Sequence, residues 1–436
     1  MKSPMFLLGW MRRIRIFAAL TASSLLLASG ACAEAIFQVN DTADDVDANV
    51  LDGKCETPLP AKKCTLRAAV MQANRMPTGA TINLPAGTYE LTIPASIEDG
   101  EENGDLNMIV PAGYNPGSTH IVGAGADSTT IDAKGGSRIL KIDSNRTALI
   151  SGVALINGVA NSGGGIYTTG SLQLTRTQMA HNAASDYGGG IYALSGTLNL
   201  AYSVMDSNSA VQGGGIYLSN DATVTVDHTT LSRNIAAYGG ALKSNGVLAV
   251  SNSTISQNHG NVGGGGIYSV GNTNVFNSTI AYNQTQTDTA MSDEDGGAGI
   301  LVISFSTVNL HNSILAGNRL VLDNSYSDCV GVIGLYGVNG IEGADQCIGF
   351  GAVIIVDSAT ELGVLKNNGG PSETIALLPP SLLIGNGLAD ECKDNAGQYL
   401  TSDQRGNPRP PAGTTCDIGA FEYNELFRSS FDLLAP

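Results

Sequence analysis

Three columns of residues recur in phase through the middle of the chain, and this repeat restricts the fold more than any other feature. In each unit a Gly-rich block is followed by one residue that recurs at steps of 25, 25, 25, 26 and 33: Ile166, Ile191, Ile216, Ala241, Ile267 and Ile300. A second column has Asn three places after an aliphatic residue or Met: Asn182, Asn208, Asn234, Asn258, Asn283 and Asn318. A third is an alternating apolar pair, such as Leu172 and Leu174. Columns kept in phase over six units indicate a repeat architecture.

The spacing within one unit predicts strands. Each unit holds three short segments that are apolar at period two or in a short run, and turn residues separate them. Three strands with their turns fill about 25 residues, so one unit predicts one coil of a parallel β-helix. A leucine-rich repeat would need a helical or 3₁₀ segment, which the Gly blocks would break, and a propeller blade needs a longer unit. We therefore predict an all-β fold, a single-stranded parallel β-helix with three strands per coil.

The columns also predict which side chains face the interior. Aliphatic residues should point inward, and the amides of the Asn column should hydrogen-bond from coil to coil. The Asn column fits a turn in the left-handed conformation, and the Gly blocks permit positive φ and close packing. Since neighbouring residues of a strand point to opposite faces, one outer face should carry a tyrosine column. Its members are Tyr167, Tyr192, Tyr217 and Tyr268.

This tyrosine column supports two hypotheses. Exposed aromatic rings can stack on sugars, which makes the four residues candidates for binding a carbohydrate ligand. Aromatic stacking between coils, which would only stabilise the sheet, is the interpretation that we favour. A column of hydroxyl residues is a weaker candidate for a flat ice-binding array, since it is one residue wide: Thr177, Ser203, Thr229, Ser253, Ser278 and Ser313.

Residues 1–33 have the pattern of a cleaved secretory signal peptide. Basic residues precede an apolar run, which ends in the small residues Ala31, Cys32 and Ala33. The run is too short and interrupted for a transmembrane segment, and no later stretch could span a bilayer. We therefore expect a protein that is secreted or lies at the cell surface. A lipoprotein anchored at Cys32 is the alternative, although Ser29 stands where a lipobox has Leu.

Six cysteines follow Cys32, as expected of an exported chain with disulfides. Proximity along the chain favours three pairs among those that six cysteines allow: Cys55 with Cys64, Cys329 with Cys347, and Cys392 with Cys416. No spacing of Cys and His resembles a zinc site.

The two ends differ from the repeats. Residues 34–118 should form an N-terminal cap and the first strands, with a short helix at 65–75 that covers the open end of the coils. The β-helix proper should span 119–350. Residues 351–424 are Pro-rich and irregular and should cover the other end, and 425–436 should be a tail.

Both ends resemble known domains. The letters CTLRAA at 64–69, followed by Ala73 and Asn74, resemble the CSLREA domain of bacterial exported proteins. The letters NNGGP at 367–371, TIALLP at 374–379, DQRG at 403–406 and CDIGAFE at 416–422 are similar to the choice-of-anchor Q domain. The repeats resemble those of polymorphic outer-membrane proteins. Together these resemblances imply a right-handed, pectate-lyase-like β-helix on or outside a bacterial cell. They do not imply a particular activity.

Charge excludes some partners. Asp and Glu outnumber Lys and Arg by 39 to 22, and the net charge is −17. A chain this acidic will not bind nucleic acid or anionic membranes through its net charge. The small number of basic residues also argues against an enzyme that binds and cleaves a polyuronate.

No catalytic constellation stands out, so we favour a binding or adhesin-like surface over an enzyme. The expected partner is an extracellular glycan or another molecule of a host or cell surface. The alternative is a carbohydrate-active enzyme, a polysaccharide lyase or glycoside hydrolase acting on an extracellular glycan. No cofactor is required. Ca²⁺ is the candidate cation, through Asp293, Glu294 and Asp295 in an insertion at 285–295, although a solvated acidic loop is the simpler interpretation. The oligomeric state stays open.

Overall fold

The computed structural model describes residues 33–95, 100–286, 296–303, 305–343 and 347–423. Residues 1–32 of the predicted signal peptide, the Ca²⁺ candidates Asp293, Glu294 and Asp295, and the predicted tail at 425–436 lie outside these ranges. In the described ranges no helix is both long enough and apolar enough to cross a bilayer.

The strands wind into a right-handed parallel β-helix, which confirms the predicted fold class. Each strand pairs in parallel with its equivalent one coil later. Met205 is in register with Leu231, and Leu231 with Ile255, so the aliphatic column stacks directly from coil to coil. These three side chains are fully buried and belong to one continuous core.

Three faces make up each coil. The first face contains Leu106–Met108, Leu140–Ile142, Ile166–Thr168, Leu242–Ser244, Ile267–Ser269 and Ile300–Val302. The second contains Ala35–Gln38, Ala80–Leu84, Thr119–Gly123, Thr147–Ser151, Ser171–Thr175, Val247–Ser251, Asn272–Phe276 and Thr307–His311. The third contains Gly87–Glu90, Thr129–Asp132, Ala154–Ile156, Gln178–Ala180, Val204–Asp206, Thr230–Ser232, Thr254–Ser256, Thr279–Ala281 and Ile314–Ala316.

Some strands continue round a corner or add a short sheet. Long strands that run from one face into the next are Ile191–Ala201, Ile216–Asp227, Cys329–Ile341 and Cys347–Ile355. A fourth set of short strands, which the three-segment pattern did not predict, follows the Asn column: Val159–Ser162, Ala183–Tyr187, Ile235–Tyr238, His259–Gly263, Gln284–Thr285 and Arg319–Leu320. These strands also pair in parallel from coil to coil and form two small sheets beside the main one. None of their residues belongs to the continuous hydrophobic core.

The Gly blocks are required where the chain turns back into the first face. Gly188 has φ +61°, a conformation that costs glycine little. A Cβ on the next residue, Gly189, would collide with the carbonyl oxygens of Ser209 and Gly214 in the following coil. The prediction that the Asn column itself occupies the left-handed turn is wrong, because the residue before each Asn does so, for example Ser207 at φ 53° before Asn208.

Two ladders of buried polar side chains run inside the turns. Asn208 donates from its backbone N and its Nδ2 to Asn234 Oδ1, at 3.0 Å each, and the pattern repeats along the predicted Asn column. In the hydroxyl column, the backbone N of Ser203 donates to Thr229 Oγ1 at 3.2 Å. Residues of the hydroxyl column are at most 2% exposed, which contradicts their use as an ice-binding array.

An aspartate ends the Asn ladder. Asn318 donates to Asp328 Oδ1 from its backbone N (3.1 Å) and from Nδ2 (2.7 Å). The other oxygen, Oδ2, accepts from the backbone N of Glu342 (3.1 Å) and Gly343 (2.7 Å). These hydrogen bonds favour the ionised carboxylate, which can accept at both oxygens, but burial outweighs them. Burial raises the pKa of Asp328 to about 7.

We expect stability to fall as the pH rises from about 4 to about 7. Burial raises the pKa of Glu422 as well, to about 7, from ordinary values of 4.5 for Glu and 3.8 for Asp328. In this window the folded state keeps protons that the unfolded state has lost, so raising the pH favours unfolding. Guanidinium denaturation at several pH values measures the trend.

The control for this trend is Asp328→Asn, which cannot titrate at this position and should show a flatter pH profile. A midpoint that rises between pH 4 and 7 in the unmodified protein would contradict the prediction.

The predicted capping helix is present as α1, Leu66–Ala73. Thr65 is its N-cap and accepts from the backbone N of Ala68 at 3.2 Å, which satisfies one of the unpaired N–H groups of the first turn. Every residue of α1 is buried, and the helix packs against the strands at 80–84 and 106–108. It therefore covers the apolar interior at the N-terminal end of the coils.

The C-terminal segment, residues 362–423, lies along the third face rather than across the open end where we expected it. Thr230 Oγ1 donates to the carbonyl of Glu373 at 2.5 Å, and Thr254 Oγ1 to Gln404 Oε1 at 2.6 Å. The backbone N of Ala420 donates to Thr279 Oγ1 at 3.1 Å. Because these three threonines are stacked in successive coils, the segment follows the axis of the β-helix. The helix α2, Ser358–Glu361, precedes this segment. The segment itself contains an antiparallel pair of strands, Leu362–Lys366 and Thr374–Leu377, and a 3₁₀ turn at Ala389–Glu391.

The three disulfides are the pairs that sequence proximity favours. Their Cα–Cα distances lie in the ordinary range: 4.9 Å for Cys55–Cys64, 5.3 Å for Cys329–Cys347 and 6.2 Å for Cys392–Cys416. The first adjoins α1, the second joins the last two long strands, and the third lies within the C-terminal segment.

Candidate functional site

The tyrosine column is assembled on the outer side of the first face, as predicted. The ring centroids of Tyr167 and Tyr192 are 5.4 Å apart and those of Tyr192 and Tyr217 are 5.3 Å apart, with edge-to-face angles of 76° and 71°. Tyr187, from the short strand beside them, packs 4.8 Å from Tyr217. Each ring thus presents its edge or face to another tyrosine, the geometry in which aromatic pairs attract.

Tyr268 does not join this cluster. Lys243 occupies the equivalent position between the coils of Tyr217 and Tyr268, and its ammonium lies 4.4 Å from the Tyr268 ring centroid. Tyr217 and Tyr268 are only 8% and 5% exposed. Burial, with neighbouring tyrosines, raises the pKa of Tyr192 to about 12. The contacts support a packing role for the column, and carbohydrate binding by it stays a prediction.

A second column, at the corner between the second and third faces, was missed by the sequence analysis. Its residues take the left-handed conformation, with φ between 43° and 65°, and stack in register; we call them the corner column: Gly152, Arg176, Tyr202, His228, Asn252, Asn277 and Asn312. The available signal was position, because five of them directly precede a residue of the hydroxyl column from Thr177 to Ser278, and Asn312 precedes Ser313. Because the side chains in this column differ in chemical type, no residue type repeats at this position in every coil.

The C-terminal segment docks on the later members of the corner column. Asn252 Nδ2 donates to the carbonyl of Ser402 at 2.7 Å, and Asn312 Nδ2 to that of Leu388 at 2.9 Å. Asn277 Nδ2 donates to two carbonyls of the same segment, those of Glu391 and Lys393. His228 Nε2 lies 3.4 Å from Ser402 Oγ, and the segment makes no such contact with Tyr202 or Arg176 in the described ranges.

A cleft of about 460 Å³ opens at the uncovered end of the corner column. Gly152 has no side chain to continue the stack beyond Arg176, so space remains between Arg176 and the loop at 123–127, whose Gly125 donates to the carbonyl of Gly152 at 3.0 Å. Other lining groups come from the second and third faces, the corner between them and the C-terminal segment: Ser151, Thr175, Gln178, Tyr202, Val204 and Pro371. We call this the corner cleft.

Arg176 lies at the wall of the corner cleft and contacts Tyr202. Its guanidinium carbon lies 5.5 Å from the ring centroid of Tyr202, and the Tyr202 ring stacks on His228 with a centroid distance of 4.6 Å. His228 is in turn fixed by Asp227, whose Oδ2 is 2.8 Å from His228 Nδ1. The guanidinium N–H groups of Arg176 make no hydrogen bond within the described ranges, so they are available for a ligand.

Carboxylates meet in a neighbouring cleft of about 290 Å³, which shares Gln178, Val204 and Pro371 with the corner cleft. Arg233 bridges two of them, with Nε 2.6 Å from Asp206 Oδ1 and Nη2 2.8 Å from Glu373 Oε2. Among the described residues, no group of three or more His, Cys, Asp and Glu could hold a metal ion.

The residues of the family-like motifs have packing roles. In the first motif, Cys64 is disulfide-bonded and Thr65 caps α1. In the C-terminal segment, Asp403 pairs with Arg405 at 2.6 Å, and Arg409 with Glu422 at 2.7 Å, all of them almost fully buried. These motifs therefore determine how the ends fold and bring no reactive group to the corner cleft.

No family model matches the chain, and no curated protein matches it either. Among solved structures, the crystal structure of pectate lyase Pel9A is similar with a TM-score of 0.44 and 16% sequence identity, over 91% of this chain and 98% of that one.

Proposed function

We propose that this protein works outside a bacterial cell as a glycan-binding β-helix, with the corner cleft as its binding site. Three disulfides and the signal-like N-terminus support export, because disulfides persist in oxidising compartments. The resemblance of residues 64–74 and 367–422 to domains of bacterial exported proteins supports the same location.

The polar lining of the corner cleft carries the proposal. The side chains of Ser151, Thr175 and Gln178 offer hydroxyl and amide groups, and the loop at 123–127 offers backbone groups. Tyr202 and Val204 add apolar surface. A concave site with a few convergent polar groups and an aromatic side chain suits a hydroxyl-rich ligand that also has apolar ring faces.

We expect Ser151→Trp to abolish most glycan binding. Ser151 points outward and lines the corner cleft, so an indole there would fill it without altering the core. The affinity for a glycan that the unmodified protein binds on a glycan array should fall on the order of tenfold or more. Thr223→Trp, at an exposed outward position on the same face, is the matched control and should bind normally.

A third variant separates the two candidate surfaces. If the tyrosine column were the binding surface, Tyr192→Ala with Tyr217→Ala would lose binding while Ser151→Trp kept it. That result, or an array on which the folded protein binds no glycan, would contradict the proposal.

The alternative is a carbohydrate-active enzyme, and one observation favours it. Asp206 and Glu373 face a single cleft, and hydrolases use two carboxylates. Arg233 pairs with both carboxylates and offsets one of their two charges, which suits a structural link between the third face and the C-terminal segment. A panel of polysaccharides incubated with the protein, with and without Ca²⁺, tests this alternative, and product formation would establish it.

A further inference from the structure

We infer that the glycan in the corner cleft carries an isolated carboxylate and that Arg176 binds this group. The inference rests on the proposed function and adds to it the chemical class of the ligand. Three observations carry it: the lack of a hydrogen-bond or ion-pair partner for the guanidinium of Arg176, its contact with the Tyr202 ring, and the charges that surround it.

Arg176 differs from most arginines of the protein in having no anionic partner. Its guanidinium makes no hydrogen bond or ion pair within the described ranges, and its only side-chain interaction there is with Tyr202. Arg146 and Arg319 donate to neutral oxygens. The six other described arginines each lie 2.6–2.8 Å from a carboxylate: Arg67, Arg75, Arg138, Arg233, Arg405 and Arg409. In a protein with a net charge of −17, an arginine that pairs with no carboxylate of the protein is available for the carboxylate of a ligand.

The contact with Tyr202 places the arginine at the corner cleft. Tyr202 contacts the guanidinium through its ring, and none of the guanidinium N–H groups of Arg176 has a hydrogen-bond partner in the described ranges. These groups form a rigid fork that matches the two oxygens of a carboxylate. Because Tyr202 is itself stacked on His228, the ring that contacts Arg176 is in place before a ligand binds, which reduces the entropy cost of binding.

The surroundings allow one negative charge and disfavour many. Asp127 is the only acidic residue that lines the corner cleft in the described ranges, and Arg176 the only basic one. A glycan that extends past Pro371 would next meet the carboxylates of Asp206 and Glu373. Arg233 already pairs with both of them. A polyuronate, charged on every sugar, would therefore place uncompensated carboxylates beside protein carboxylates. A glycan with a single carboxylate at its end avoids this repulsion.

The test compares one oligosaccharide in two charge states. Calorimetry would measure the affinity for a trisaccharide that ends in a single sialic acid and for its neutral methyl ester. We expect the acid to bind about tenfold to a hundredfold more tightly, as for a charge-assisted bidentate contact. We expect this ratio to fall close to one in Arg176→Gln, to survive in part in Arg176→Lys, and to decrease with salt.

The control is Lys366→Gln, which removes the same charge from an exposed position on the C-terminal segment and should keep the full ratio. Equal affinities for acid and ester, an unchanged ratio in Arg176→Gln, or tighter binding of polygalacturonate would overturn the inference. If both ligands bind equally and Ser151→Trp abolishes both, the proposed function stands and only the carboxylate assignment fails. If neither ligand nor any array glycan binds, both fail.

Discussion

Replacing Asn234 with Leu should lower the free energy of unfolding by about 3–5 kcal/mol. Asn234 is fully buried, and its Nδ2 donates to the carbonyl of Met205 and to Asn258 Oδ1, at 2.9 Å each. Its Oδ1 accepts from the backbone N and Nδ2 of Asn208. Leucine would remove one hydrogen bond from the buried Met205 carbonyl and the shared acceptor of the two Asn208 donors, of which Nδ2 would keep only the Met179 carbonyl; each buried polar group that loses its partner costs about 1–3 kcal/mol.

Asn261→Leu is the matched control for this experiment, since it makes the same chemical change at an exposed position of a short outer strand. Its effect should lie within about 0.5 kcal/mol of zero. Equilibrium denaturation by guanidinium measures both variants. Similar losses in the two variants would show that the ladder adds no stability beyond that of any amide on the surface.

Replacing Arg67 with Met should cost a similar amount, about 3–5 kcal/mol, because it leaves a buried carboxylate unpaired. Arg67 donates to Asp44 from Nε at 2.6 Å and from Nη2 at 3.1 Å, and both side chains are 1% exposed. The same guanidinium also donates to the carbonyls of Gly104 and Asp105, which fastens α1 to the first coils.

The control for Arg67→Met is Lys134→Met, which breaks the solvent-exposed ion pair with Glu90 and should change the denaturation midpoint little. The residues of the corner cleft lie far from α1 in the sequence. Glycan binding by the folded fraction of each variant is therefore a second measurement. If Arg67→Met unfolded no more easily than Lys134→Met, the ion pair would not hold the cap.

Several features of the fold were predictable because they repeat within one coil. The inward position of Ile166 beside the outward Tyr167 follows from the alternation of a strand, and the stacking of Met205, Leu231 and Ile255 follows from the period. The Asn ladder follows from one residue type at one place in each unit. The disulfides follow from short separations along the chain, which leave few other partners within reach.

Other features depended on contacts that no repeat encodes. The predicted left-handed position was displaced by one residue from each Asn, since the ladder needs the Asn side chain turned inward and the preceding residue makes the turn. The C-terminal segment follows the third face because Thr230, Thr254 and Thr279 stack there and bind it. Neither fact is visible in composition or spacing alone.

The sequence by itself determined the coil, its period, its inner and outer columns and its cysteine pairs, since each depends on residues one repeat or a short loop apart. Only the tertiary structure decided where a ligand could bind. The corner cleft needs the missing side chain of Gly152, the loop at 123–127 and Pro371 to meet around Arg176. These parts lie far apart in the chain, and they are brought together by how the coils stack and where the C-terminal segment ends its contact with the corner column.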